Sequence, residues 1–414
     1  MNNFLRTLLV PALLLSAAGA IALFAMNRES VRASTASATD KALPPYQTQL
    51  VELAFKAASA LPEVPHSKNR CRLQGDVVEA CLALDLPQRA LACTEKISDW
   101  RRGLGYAEYA SYCAQHGATE GVEHALDLAQ KISEQGEPVL TQDWQKDRIK
   151  VGIAKTHAWL GHAAQAASFE NGLEHSEMGK VDAVRALQGD AKDFDSQRAA
   201  LEKTLAAGDF DLSHNALETC AQLFNRYYAD SERRDWAENA IKNSWSKLPL
   251  QVRIEALIEL TGFALAHQDS HKALALVDDA QEILDSEAWL PEGYIPFEAQ
   301  LGALRWRAGA KEDGRKQVEA ALARFDKDRT VIVDIYRAGA LRPIAESYAA
   351  IGERALAIAV YKRAVEEGLG NPNSRPRAED LVATCLSLAK GAVEPDEELG
   401  GRLEKVCKGL KEPW

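Results

Sequence analysis

The chain has 414 residues, a formal net charge of −11, and 46% hydrophobic against 26% charged residues. An acidic body with no basic stripe repels phosphate backbones, which excludes nucleic acid as the expected partner. Aromatics make up only 7%, which argues against an aromatic-rich β core. The apolar class leans on Ala and Leu, which lose little side-chain entropy in a helix.

A short flank, residues 1–7, leads into an apolar stretch at 8–26. Those 19 residues carry no charge and one proline, Pro11. As a helix they would reach roughly 28 Å, about the thickness of a bilayer core. Ala18, Gly19 and Ala20 offer small residues for signal cleavage, but Ile21 to Met26 continue the apolar run past them. An uncleaved single-pass anchor is the favoured reading, with a cleaved signal as its rival. Flanking charge is too weak to orient it, so export of the bulk rests on the short N-terminal flank. Residues 27–48 are polar, rich in Ser, Thr and Ala, and closed by Pro44 and Pro45. They read as a flexible linker.

From residue 49 to 410 apolar residues recur at helical spacing in antiparallel pairs. The pairs cover 76–97 (turn at Leu86 and Pro87), 106–132 (Gly117), 150–173 (Gly161), 213–245 (near Asp230), 253–284 (His267 to Ser270) and 297–325 (Gly309). A terminal pair spans 381–410, and residues 411–414 form a tail. The clearest copy runs Leu341, Ile344, Ala345, Tyr348, then Gly352, then Ala357, Tyr361 and Ala364, with Pro372 beyond. The first four share one helix face, Gly352 permits the turn, and the last three face back from a second helix. Ala345 and Ala357 allow close approach, while the two tyrosines fill the space beside them. One such hairpin cannot bury both faces and must stack on neighbours.

This copy resembles the tetratricopeptide repeat, with its closing proline about three residues late. The other copies are degenerate, and their spacing exceeds the roughly 34 residues of the regular family. The expected fold is therefore all-α, an α-solenoid of tetratricopeptide-like helix pairs behind one transmembrane or signal helix. The resemblance implies that first helices line a concave groove that grips partners. It places Lys155 and Trp159, Trp306 and Arg307, and Arg342 and Glu346 on that side. Trp and Arg most often anchor interfaces, although packing between hairpins is the stronger reading for each Trp.

Seven cysteines occur, none in a Cys-x-x-Cys pair, which argues against zinc and thioredoxin-like sites. Cys81 and Cys93 lie equally far from Pro87, and Cys385 and Cys407 equally far from Asp396. Residues equidistant from a hairpin turn stand at one height, so both pairs are candidate disulfides in an oxidising compartment. They would staple end hairpins that lack a stacking neighbour. Small buried free thiols are the alternative.

No Walker loop, dinucleotide fingerprint, His-Glu-x-x-His motif or nucleophile elbow is present. His157 and His162, and His267 and His271, are poorly spaced for a metal. The acidic groups Asp190, Asp193 and Asp195, and Asp209 and Asp211, lack the calcium-loop pattern and read as helix caps. The expectation is a non-enzyme with no catalytic residue, metal, cofactor or small-molecule substrate. It would be a membrane-tethered scaffold or assembly factor that binds other proteins. A structural spacer in a membrane or envelope complex comes next, marked by apolar outer faces on the second helices. An enzyme with an unfamiliar site comes last, marked by buried, clustered acids without charge partners.

Overall fold

The computed structural model describes residues 38–135, 142–173, 175–207, 210–244 and 248–414. Among these there are nineteen α-helices and no β-strand. They are α1 (Pro45–Ala60), α2 (Glu63–Ala83), α3 (Pro87–Thr94), α4 (Arg101–Gln115), α5 (Val122–Gln135), α6 (Asp143–Trp159) and α7 (Ala163–Glu170). The chain continues through α8 (His175–Gln188), α9 (Phe194–Ala207), α10 (Phe210–Arg226), α11 (Ser231–Asn243), α12 (Leu250–Ala266) and α13 (Ser270–Asp285). It ends with α14 (Pro291–Arg307), α15 (Lys311–Asp328), α16 (Asp334–Ala350), α17 (Arg354–Leu369), α18 (Ser374–Lys390) and α19 (Glu397–Lys408).

The even-numbered helices from α2 to α18 form an inner layer, and each except α8 packs against the odd-numbered helix that follows it, α9 packing on α10 instead. Seven of the turns within these hairpins use left-handed backbone, which favours glycine. Gly117, Gly161, Gly309 and Gly352 have φ of 72°, 75°, 108° and 86°. Asp85, Gln268 and Ala392 adopt the same conformation without glycine, at 58°, 60° and 50°. In the α16–α17 hairpin, Leu341, Ile344, Ala345, Tyr348, Ala357, Tyr361 and Ala364 are all buried, as their spacing requires.

The array is not open. Successive inner helices touch from α2 through to α18, and α18 touches α2 in turn. Helix α1 closes the seam by packing along α18 and against α2. Its N-terminus meets the C-terminus of α18: the Gln47 side-chain amide donates to the Ala389 carbonyl at 2.7 Å, and Tyr46 Oη donates to the Ala392 carbonyl at 3.0 Å. Arg72 of α2 and Glu379 of α18 pair at 3.1 Å across the same seam. One apolar core therefore joins Leu50, Val51, Ala54 and Ala58 to Leu381, Val382, Cys385 and Leu388.

Three sequence expectations change. Ends of an open solenoid would lack neighbours, whereas here the end hairpins flank a filled seam. The linker expected over 27–48 is structured where it is described. Helix α1 begins at Pro45, Asp40 accepts from the Gln88 backbone N–H at 2.7 Å, and Lys41 pairs with Asp85 at 3.2 Å. The tail at 411–414 is tied down, with the Pro413 carbonyl accepting from the Ser374 backbone N–H at 2.8 Å and Trp414 packed on the core. The segment expected to hold only capping acids also carries two helices, α8 and α9. Asp190 and Asp193 do form a capping box there, ahead of α9. The apolar stretch at 8–26 lies outside the described residues, and no described helix is long and apolar enough to cross a membrane.

Candidate functional site

The inner layer bounds a central channel. Nine helices at a spacing of about 9 Å put their axes on a circle roughly 26 Å across. Subtracting helix bodies about 11 Å thick leaves an opening of at most about 15 Å. That width admits an extended chain or a single helix and excludes a folded domain.

Ionisable residues punctuate inner helices that are otherwise apolar and small. Glu108 stands between buried Ala107 and Tyr109 on α4, and Lys155 between buried Ala154 and Thr156 on α6. These charges sense one another around the wall. Glu79 lies near Glu108, Glu108 near Lys155 and Lys180, and Lys155 near Glu218. Glu218 lies near Glu259, whose carboxylate accepts from the Gln222 amide at 3.0 Å. At the seam Lys390 lies near Glu79, Asp76 and Glu346. The backbone at Gly262, one turn along from Glu259, faces open space.

The surrounding wall displaces bulk water from these groups, although several keep accessible surface. Glu79 is exposed, yet burial within the wall still raises its carboxyl. The same desolvation, against the pull of Arg72, raises Asp76 to about 6. It raises Glu108 and Glu259 to about 7, with Glu79 and Glu218 adding like charge. Burial also raises Glu346, opposed by a hydrogen bond from Ser387 Oγ at 2.6 Å, and lowers Lys155 and Lys390. The acids shift because desolvation, the largest contribution for each, outweighs the nearby cations.

The six partner-binding candidates divide. Lys155 and Glu346 belong to this set of charges. Arg342 sits beside Glu346 but spends its guanidinium on Asp380 at 2.9 Å, both side chains mostly buried. Trp159 packs against the core shared by α6, α7 and α8. Trp306 packs against the main core, with Lys311 Nζ 5.2 Å above its ring. Arg307 is exposed at the end of α14. Asp76, Glu79, Glu108, Glu218, Glu259 and Lys390 were missed; the available signal was ionisable residues flanked in sequence by buried apolar ones, as Glu108 is by Ala107 and Tyr109.

Two surface features frame the channel. Large exposed apolar residues gather where outer helices hand over to inner ones: Trp144, Phe210, Leu290, Val331, Val333 and Ile335. They crown one rim. Among the described residues the outer helices present only Leu356 and Leu369 in that class, so their described outward faces are polar. The seven cysteines are free thiols and all are buried. Those of Cys81 and Cys93 are hydrogen-bonded to each other, and Cys385 feels the charge of Cys407. His157 stacks on Phe169 and His267 on Tyr228, at 5.7 and 4.2 Å. Among the described residues no cluster of His, Cys, Asp and Glu has metal-binding geometry.

No protein-family model matches this chain, and no curated protein matches it. Among solved structures, a circular tandem repeat protein with novel repeat topology and enhanced subunit contact surfaces is similar at 16% identity. The match covers 88% of this chain and 94% of that one, with a TM-score of 0.22. So loose a superposition carries no argument, and the ring stands on the contacts described above.

Proposed function

We propose that this protein is an interaction scaffold whose tetratricopeptide-like ring grips an extended segment of another protein within its channel. The apolar stretch at 8–26 would tether the ring to a membrane, with the bulk exported. The observation that carries the reading is the set of desolvated charges on the inner wall. A purely structural ring gains nothing from holding Glu108, Glu259 and Asp76 away from bulk water, because their burial disfavours the charged form. A partner that brings cations or hydrogen-bond donors would recover that loss. The polar outer faces weigh against a fixed spacer, which would present apolar surface to its neighbours.

The test is amine-directed cross-linking in intact cells, followed by detergent extraction of the tagged full chain and mass spectrometry. A stoichiometric partner cross-linked through Lys155, Lys180 or Lys390, and lost in Glu108→Gln/Glu259→Gln, supports the reading. Cross-links confined to the outer helices, or a chain always recovered alone, would sink it.

One observation favours a second reading, an enzyme. Glu259 and Glu218 are neighbouring carboxylates on one wall, and Glu259 is tuned near neutrality, as general acids are. The open channel places this reading second.

A further inference from the structure

We propose that Cys81 and Cys93 are a disulfide-forming site that reversibly staples α3 to α2 beside the seam of the ring. The two residues stand at matching heights on antiparallel helices that pack together. Cys81 is fully buried and Cys93 is 7% exposed, both lie in one apolar core, and each thiol feels the other.

The surroundings give the site a purpose. Helix α3 has only eight residues, of which Pro87, Ala90, Cys93 and Thr94 are buried. Its N-terminus is capped from outside by Asp40, in the segment that leads into α1, and Arg89 on its outer side pairs with Glu52 of α1 at 2.5 Å. The α2–α3 hairpin thus supports α1 from one side, while α18 supports it from the other. A bond between Cys81 and Cys93 would fix that support and keep the ring shut.

The chemistry has a direction. Cys81 donates its S–H to Cys93, which lowers the Cys93 thiol, helped by nearby Lys96 and Arg89; Cys81 is raised. Cys93 is also the more accessible of the two. Its thiolate attacks one sulfur of a small-molecule disulfide such as glutathione disulfide, forming a mixed disulfide and releasing one thiolate. Cys81, deprotonated as the leaving thiolate departs, then attacks the Cys93 sulfur and expels the second thiol. The protein loses two protons and two electrons, and the reagent is reduced to two thiols.

The experiment incubates the folded full-length protein with glutathione disulfide, quenches in acid, alkylates, and maps peptides without reduction. The expected result is a peptide pair joined through Cys81 and Cys93 and two fewer alkylated cysteines than in the reduced chain. Cys81→Ser is expected to stop at a glutathione adduct on Cys93, and Cys93→Ser to form none at Cys81. All seven cysteines alkylated after oxidation of a chain that keeps its helical circular dichroism would overturn the proposal. So would a first adduct on Cys81, or a bond that joins other cysteines while this pair stays reduced.

Discussion

The crossing of α14 and α15 is set by two glycines, and substituting one of them separates tight packing from helix propensity. A methyl on Gly314 would stand 2.5 Å from the Gly302 carbonyl oxygen and 2.5 Å from the Trp306 backbone nitrogen. Ordinary contact begins near 3.4 Å, so the helices must separate by about 1 Å at that point, using the spacing of relaxed van der Waals contacts. Both obstacles are backbone, and no side chain can rotate away. Overpacking of this kind costs about 1–3 kcal/mol. The intrinsic gain of Ala over Gly in a helix offsets at most about 1 kcal/mol of it. Gly314→Ala is therefore expected to destabilise the ring by about 1–2 kcal/mol. Gly262→Ala is the control, since its methyl would meet nothing within 4 Å. That substitution is expected to stabilise by about 0.5–1 kcal/mol. Urea unfolding followed by circular dichroism reads both as shifts of midpoint at unchanged slope. A Gly314→Ala protein as stable as Gly262→Ala would refute the reasoning, because it would mean the two helices do not cross where the contact places them.

Two further substitutions test the electrostatics. Glu259 has a folded pKa of about 7 against an ordinary 4.5, so its contribution to stability is fully present below pH 4.5 and is lost as pH rises through 7. Glu259→Gln stays neutral and is expected to match the parent at acid pH and exceed it above pH 7. The excess is capped at about 3 kcal/mol at roughly 1.4 kcal/mol per pKa unit, before screening by channel water. Parallel pH–stability curves for the two proteins would count against desolvation of that carboxyl. Asp269 caps α13, accepting from the Lys272 backbone N–H at 2.9 Å and from Tyr228 Oη at 3.0 Å. Asp269→Ala is expected to cost about 1–2 kcal/mol at neutral pH by thermal or urea unfolding. The Lys272 N–H holds this carboxyl below its usual 3.8, so the difference should persist above that pH and shrink as pH falls through the lowered pKa. A cost that does not change on acidification would show that the loss comes from packing rather than from the cap.

The helix pairs were legible because they depend on local pattern. Gly117, Gly161, Gly309 and Gly352 marked turns, and the stripe from Leu341 to Tyr348 marked a buried face. Closure was not legible, because it depends on a small rotation accumulated over nine hairpins, and no single hairpin carries the sum. A trace of it was present all the same. Leu50, Val51, Ala54, Ala57 and Ala58 make an apolar helix face ahead of the first recognised pair, more than the next helix alone covers. Pro44 and Pro45 were read as ending a linker, although proline at the first helical position also starts a helix. Of the channel residues, Lys155 and Glu346 came from the resemblance, because first helices face inward in that family. Glu108 and Glu259 were passed over because a single acid on a helix is ordinarily solvated. Only the ring turns that position into a desolvated one.

Ring closure is most directly measured by zero-length carbodiimide cross-linking of the unmodified protein, read by peptide mass spectrometry. Lys390 lies near Glu79 and Asp76 across the seam, and Lys155 lies near Glu108 within one stretch of the wall. A closed ring is expected to give amide bonds between Lys390 and Glu79 or Asp76 alongside those between Lys155 and Glu108. Bonds at Lys155 and Glu108 with none joining α18 to α2 would contradict closure and return the molecule to an open array.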